Sequence, residues 1–357
     1  MNLIYVRSPY LIKVNETGQT GAKVKIYLWS DGGAEPATPN YTLSKDIPST
    51  TQIELSFNIS NYVREYINNL SPYPDRSAIV GEYSSMWCNV TIKKYKIVSG
   101  VDTLISSTSY IGVNGYTKYT DGLNASTISD FIALSDDAKT IYYNRSKPYP
   151  YINLLFDNTS GTKALKIRQV PKTGAAIDTI YTATSFYNLV VPLTSSLTRF
   201  EDESTLQIID NITAVKLYSF KVVPVCEPKY TPVVCSYINR KGGWQFLTFF
   251  KAQTNTISTK GSTYKMMPSQ LDYSISQAQT KSFNINGQQS IKLNTGWVDE
   301  NYSDLITDLL LSETILLDDK PVELKTSSTD LKTSLKDKMI NYEIEFDYAF
   351  NLINDVV

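Results

Sequence analysis

The stretch Ile340-Asn341-Tyr342-Glu343-Ile344-Glu345-Phe346-Asp347-Tyr348-Ala349-Phe350 decides the fold class. Ile340, Tyr342, Ile344, Phe346, Tyr348 and Phe350 alternate with Asn341, Glu343, Glu345, Asp347 and Ala349, a period of two. Successive side chains of a strand point to opposite faces, so this is a strand with one buried and one wet face. The buried face needs a second layer over it. The wet face sets carboxylates on alternate residues, where they repel unless a neighbouring strand brings lysines. Lys320, Lys325, Lys332, Lys336 and Lys338 lie just upstream. The segment reads as a one-sided sheet closing a β-rich fold, and nothing in it suggests chemistry.

Moving upstream, Val322-Glu323-Leu324 and Glu313 to Leu317 flank a turn at Asp318-Asp319. Before them, Tyr302, Leu305, Ile306, Leu309 and Leu310 fall at helical spacing with Asp304 and Asp308 on the other side. That pattern predicts a helix over 299–312, capped by Asp299 or Asn301. Lys281 to Gly287 and Ser290 to Leu293 read as strand. Residues 254–279 are polar and without a clear period, which predicts an extended, partly exposed arm. Still further upstream, Val233 to Ile238 and Trp244 to Phe250 enclose Asn239-Arg240-Lys241-Gly242-Gly243. Paired glycines supply the positive φ of a tight hairpin. A phosphate-binding loop would place Lys-Ser/Thr at the start of a helix, and here a strand follows.

The N-terminal part repeats the strand pattern. Ala22 to Trp29, Tyr41 to Ser44, Gln52 to Phe57, Trp87 to Val98 and Thr103 to Val113 read as strands, the last two as a hairpin about Ser99-Gly100. One short helix follows Ser60, its expected cap, with Val63, Tyr66, Ile67 and Leu70 on one side. From Thr120 to Pro150 the pattern weakens into an expected long loop. Tyr151 to Phe156, Ala164 to Val170, Ile177 to Thr182, Tyr187 to Val191, Leu206 to Ile209 and Ala214 to Val223 are strands again, at the spacing of a β-sandwich. The expectation is a mainly β chain of sandwich-like domains with two short helices and a C-terminal α+β segment. Its three regions are 1–120, 121–225 and 226–357, the last carrying the 254–279 arm and the helix.

Composition narrows function by what it lacks. Among 357 residues there is no histidine, which removes the usual general base and the commonest metal ligand. Ser-His-Asp, Cys-His and His-ligated zinc sites are therefore excluded. A formal charge of −1 gives no field to steer nucleic acid or an anionic membrane, and does little to keep copies apart. The 26 tyrosines suit both pleated surfaces and protein interfaces. Cys88, Cys226 and Cys235 are odd in number and without metal spacing, so free thiols in a reducing compartment are expected. The start Met1 to Arg7 lacks the features of a signal peptide and no apolar run spans a bilayer, so the expectation is a soluble chain made in the cytoplasm.

Candidates for catalysis are thin. Ser160-Gly161-Thr162-Lys163 and Ser262-Thr263-Tyr264-Lys265 match Ser-x-x-Lys, but neither opens a helix. A carboxylate pair for glycoside hydrolysis would come from Asp136, Asp137, Glu201, Asp202, Glu203, Asp299 or Glu300, all in loop-like places. No cofactor and no metal are expected, and the chain reads as a non-enzyme. In a carbohydrate-binding reading, Trp29, Trp87, Trp244 or Trp297 would stack on sugar rings.

The start Val6-Arg7-Ser8-Pro9-Tyr10, the Asn239-x-x-Gly242-Gly243-Trp244 hairpin and the Leu-Leu-Ser312 segment leading to the terminal Glu-Ile-Glu-Phe-Asp-Tyr-Ala strand resemble virion proteins of Bacteroidetes phages. The group is the neck and tail ring proteins of crAss-like and related phages. Arg240-Lys241 in the turn departs from its pattern, and residues 120–225 share little with it. The resemblance implies a structural subunit made in the bacterial host cytoplasm and placed in the virion neck or tail. There it would form a homo-oligomeric ring, twelvefold if it matches a portal, stacked with other ring or portal proteins around the DNA channel. It implies no membrane contact and at most non-specific proximity to packaged DNA. Expected assembly contacts are Asn239, Arg240, Lys241, Gly242, Gly243, Trp244, Glu343 and Glu345, with strand addition from the polar 254–279 arm as an expected mode of association. The alternative is a tail protein that binds carbohydrate or a receptor, with glycan cleavage as a further option.

Overall fold

The computed structural model describes residues 2–30, 33–48, 54–68, 87–125, 131–134, 140–144, 147, 151–156, 163–183, 187–192, 203–227, 229–266, 274–327 and 339–354. The fold is mainly β, as the alternating patterns predict, with two α-helices and several multi-stranded sheets among the described residues. The chain divides into two compact units. One holds Met1–Cys226, Tyr237–Leu247 and Asp304–Glu313, the other Glu227–Ser236, Thr248–Ser303 and Thr314–Val357.

The first unit begins with β1 (Leu3–Tyr5), β2 (Leu11–Val14), β3 (Gly21–Trp29), β4 (Tyr41–Asp46), β5 (Leu55–Asn58), α1 (Ser60–Asn68), β6 (Trp87–Val98) and β7 (Val101–Val113). They give a five-stranded sheet of order β1-β7-β6-β3-β4 and a β2-β5 pair. Val24, Ile26, Val90 and Ile92 of the sheet share a core with Ile12, Val14, Leu55 and Phe57 of the pair and with Val63 and Ile67 of α1. Ser99 and Gly100 both have positive φ, so the β6-β7 hairpin closes in two residues as the sequence predicts. The cap of α1 differs from expectation. Asn58 Oδ1 accepts from the Ser60 amide at 3.3 Å and from the Ser60 hydroxyl at 2.8 Å, so Asn58 supplies the capping oxygen and Ser60 is a donor.

Next come β8 (Phe131–Ala133), β9 (Thr140–Tyr143), β10 (Tyr151–Phe156), β11 (Lys163–Pro171), β12 (Ile177–Ala183), β13 (Tyr187–Pro192), β14 (Ser204–Asp210) and β15 (Lys216–Pro224). A three-stranded sheet, β13-β10-β8, and a five-stranded sheet, β12-β11-β14-β15-β9, share one core. Ala133, Ile152 and Leu154 meet Leu165, Ile167, Leu206, Ile208, Phe220 and Val222 there, a sandwich arrangement. The expected long loop after Thr120 is corrected, because β8 and β9 lie within it. Each is three or four residues long, and β9 pairs in parallel with β15, Thr140 opposite Lys221, so no local alternation or turn announces it.

The remaining elements are β16 (Val233–Ile238), β17 (Trp244–Phe249), β18 (Thr254–Lys265), β19 (Thr280–Asn294), β20 (Val298–Asp299), α2 (Tyr302–Leu310), β21 (Ile315–Leu317), β22 (Lys320–Leu324), β23 (Met339–Ile340) and β24 (Glu343–Asn351). A seven-stranded sheet runs β17-β16-β21-β22-β24-β19-β18, and β20 pairs with β23. The Tyr237–Leu247 hairpin tip and most of α2 belong to the first unit, so the chain passes between units at 226/227, 236/237, 247/248, 303/304 and 313/314. The alternating terminal stretch is two strands, since Ile340 pairs with Val298 in β23 before β24 starts. Ile344 and Phe346 are fully buried, with the Phe249 ring 6.0 Å from Phe346 edge to face. Burial then stops, and Phe350 is 45% exposed, so only the first part of the apolar face is covered.

Truncating Phe346 to alanine is expected to cost about 3–5 kcal/mol of unfolding free energy. The same truncation at Phe350 is expected to cost less than about 1 kcal/mol. Urea unfolding of the two variants checks this, and equal losses would contradict the assignment of the covered face.

Candidate assembly surfaces

The turn between β16 and β17 is built from Asn239 outward. Its backbone amide donates to Gly243 O at 2.9 Å, and its side-chain oxygen accepts from the Lys241 amide at 3.0 Å and the Gly243 amide at 3.2 Å. Its side-chain nitrogen donates to Leu134 O. Gly242 has φ +84°, and a Cβ there would lie 2.8 Å from Asn114 N. A Cβ on Gly243 would lie 2.5 Å from Leu134 Cβ. The glycines thus serve the turn and also let neighbouring backbone approach. Trp244 is buried, and the Arg240 carbonyl accepts from the Tyr116 amide at 2.8 Å. Asn239, Gly242, Gly243 and Trp244 lie inside the first unit and hold its loops together. Arg240 and Lys241 are half-buried, and the Arg240 guanidinium pairs with Asp121.

Around this turn lies a polar network that residue spacing did not reveal. Asp308 of α2 is buried, yet accepts from the Tyr116 hydroxyl at 2.9 Å and the Arg240 amide at 3.3 Å. A buried carboxylate is tolerated only with such donors. Burial, and then the Asp308 charge, push the Tyr116 hydroxyl well above the usual tyrosine range. Arg7 donates to Leu311 O at 2.6 Å, beyond the C-terminal turn of α2, where the helix dipole favours a cation. Arg7 also lies 3.3 Å from Glu313 and 5.2 Å from the centre of the Tyr116 ring. Arg64 reaches Glu313 at 2.7 Å. The helical spacing sets Asp308 with Asp304 on the side away from the apolar residues. That holds for Asp304, which is exposed, but is corrected for Asp308, which is buried because Tyr116 and the Arg240 amide supply donors from distant parts of the chain.

Glu343 and Glu345 lie in the other unit, on the wet face of β24. Lys292 of β19 meets Glu343 at 2.6 Å, while Lys325 meets Glu345 at 2.7 Å and Asp347 at 3.8 Å. Hydrogen bonding to Glu345 raises the Lys325 pKa, and bonding to Glu343 raises that of Lys292. The expected lysine supply therefore comes from one upstream residue, Lys325, and from β19. Lys332, Lys336 and Lys338 lie outside the described residues. Glu323 stands directly opposite Asp347, which keeps this face rich in carboxylate.

Of the arm expected at 254–279, residues 254–265 are the outgoing strand of a hairpin, and 267–273 lie outside the described residues. Every residue of β18 is exposed, and it pairs with β19 from Thr254 opposite Lys292 to Lys265 opposite Thr280. Both faces being wet, the strand shows no alternation. Pairing of β19 with β24 ends at Gln288 opposite Asn351, so Thr280–Gly287 has β18 alone as its ladder partner among the described residues. At about 3.3 Å per residue, six or more residues carry the hairpin roughly 20 Å past the sheet. A bulge interrupts it near Lys260, where a Cβ on Gly261 would lie 2.8 Å from Ile285 Cγ1. Tyr264 and Phe283 meet edge to face at 5.6 Å. Ile257, Phe283, Ile285 and Leu352 are exposed apolar side chains on or beside it. Its base is clamped by the C-terminal segment, with the Leu352 amide donating to Gly287 O at 2.7 Å and Asn286 bonding Ile353 on both sides at 3.0 Å.

Of the catalytic candidates, Ser160, Gly161, Thr162, Asp136, Asp137, Glu201 and Asp202 lie outside the described residues. Ser262 to Lys265 end an exposed strand. Glu203 is bound to Lys221 at 2.9 Å, and that hydrogen bond lowers its pKa. Burial pushes the Cys88 thiol up to about 12 and raises that of Cys235 as well, while Cys226 is exposed. Trp87 and Trp244 are buried, Trp29 is half-buried and Trp297 is 64% exposed. Among the described residues no group of three or more Cys, Asp or Glu is placed to hold a metal, and no helix is long and apolar enough to cross a membrane. Comparison with known protein families and with characterised proteins finds no match.

Burial lowers the Lys241 amine from its ordinary 10.5 to about 8, against the pull of Asp308. Between those values the unfolded chain holds a proton that the folded chain has released, so this residue makes stability rise with pH across that window. Lys241→Met is expected to be the more stable chain at pH 7, by on the order of 1–2 kcal/mol after discounting for partial exposure. That advantage should shrink as pH rises from 8 to 10. Thermal melts across the range check it, and a difference independent of pH would contradict the buried-amine account.

Proposed function

We propose that this chain is a structural virion protein, a ring-forming subunit of a phage neck or tail that stacks with other ring or portal proteins around the DNA channel. The observation that carries the reading is the β18-β19 hairpin beyond the sheet, with its open edge and its exposed Ile257, Tyr264, Phe283 and Ile285. An isolated two-stranded hairpin is marginal in water, so such an element gains its stability by packing on something else. A neighbouring subunit is that partner. Function is then packing and not catalysis, and a single heterologous contact repeated around an axis closes a ring. The nearly neutral chain opposes such association little. The motif resemblance is what supports the virion location and the stacked partners.

Of the expected assembly elements, the 254–279 arm is the one this reading keeps, while the buried members of the 239–244 turn act within the subunit.

Trp297 favours a second reading, a tail protein that binds carbohydrate, because it is the most exposed of the four tryptophans. Glycan affinity lost in Trp297→Ala, from a chain that stays monomeric, would place that reading first.

Light scattering on the purified chain, alone and with neighbouring virion proteins, is expected to show a large closed oligomer in at least one condition. Replacing residues 259–287 by Asn-Gly, which joins the Ser258 and Gln288 pair in a two-residue turn, is expected to leave a folded monomer that no longer assembles. Unchanged oligomers in that variant would overturn the role of the arm, and a persistent monomer of the parent chain would overturn the ring.

A further inference from the structure

The outer edge of β18 is unpaired among the described residues, which leaves a row of backbone donors and acceptors able to take another strand. Its charges are of one sign. Lys260 and Lys265 lie on the edge strand and Lys281 one strand in, all three exposed and without an ion pair among the described residues. Lys292, farther along β19, and Lys325 are matched by carboxylates, so Lys260, Lys265 and Lys281 are the unmatched cations of the hairpin among the described residues. Like charges set opposite each other across a strand pair destabilise it, so two copies of β18 pair poorly edge to edge. The same lysines favour a strand that brings carboxylates. Ile257, Tyr264, Phe283 and Ile285 add apolar surface that a protein segment uses and a nucleic-acid backbone does not.

We propose that the β18 edge is a strand-acceptor site for an extended acidic segment of a partner protein, one that alternates carboxylates with small or apolar residues. This deepens the assembly reading above by naming the chemistry of the partner, and its biological setting rests on that reading. The site selects by charge against self-pairing and in favour of a different segment, while backbone hydrogen bonds supply the docking geometry.

The test uses the full chain, at a concentration where it is monomeric, with two synthetic nine-residue peptides alternating Thr-Glu and Thr-Lys. Calorimetry is expected to give the Thr-Glu peptide about tenfold tighter binding, the size of two or three cross-strand charge pairs. Amide hydrogen exchange is expected to slow in residues 254–265 with that peptide alone. In the chain carrying both Lys260→Glu and Lys265→Glu the preference should reverse, with the melting temperature unchanged as a control on folding. Equal affinities, or protection outside β18, would overturn the proposal. Stronger protection of β18 by duplex DNA would assign the arm to nucleic acid instead. Protection that rises with protein concentration and no peptide would make the occupant a second copy. Because the peptide and DNA arms are read on a monomer, failure here is distinguishable from failure of the ring itself.

Discussion

Strand β24 stays in register only because its two faces are satisfied from different directions. Ile344 and Phe346 go into the core, while Glu343 and Glu345 are answered by Lys292 from one side and Lys325 from the other. Surface pairs of this kind are screened by solvent and add little, so the energy lies mainly in the buried face and the lysines mainly fix register. A slip of one residue would put the carboxylates in the core. The strand therefore pins β19, and β19 in turn carries the hairpin past the point where β24 ends.

In the first unit the corresponding constraint is Asp308. A carboxylate on the buried side of a helix must be given donors, and Tyr116 and the Arg240 amide provide them. Those donors come from the loop after β7 and from the β16-β17 turn, so one charge ties three distant stretches of sequence together. Arg7 then closes the C-terminal end of the helix and joins the N-terminal segment to the same network. Neither unit is a continuous piece of chain, and the five passages between them mean that no single cut separates the two.

Much of the fold was legible where burial is one-sided. The alternation at Ile344 and Phe346, the positive-φ pair Ser99-Gly100 and the helical spacing from Tyr302 to Leu310 each gave the right element, because local geometry dictates the residue type. What escaped was set by distant partners or by none. Strands β8 and β9 are too short to show a period, and β9 depends on a parallel neighbour some eighty residues away. Strand β18 looked like a polar arm because both its faces meet water. Phe350 fitted the alternation and yet is exposed, since pattern records periodicity and not where a covering layer ends. The 239–244 turn was legible as a turn, but its role inside the subunit follows from Leu134, Asn114 and Asp308, which no spacing rule connects to it.

In the proposed reading, the β18-β19 hairpin, uncovered among the described residues, is the element that another molecule completes. The most direct measurement is an electron-microscopy density map of particles assembled from the purified chain, with neighbouring virion proteins added if it does not assemble alone. The account predicts closed rings in which the hairpin of residues 254–294 lies at each subunit boundary against protein density. Rings whose hairpins project freely into solvent, or open fibres without a closed form, would contradict it.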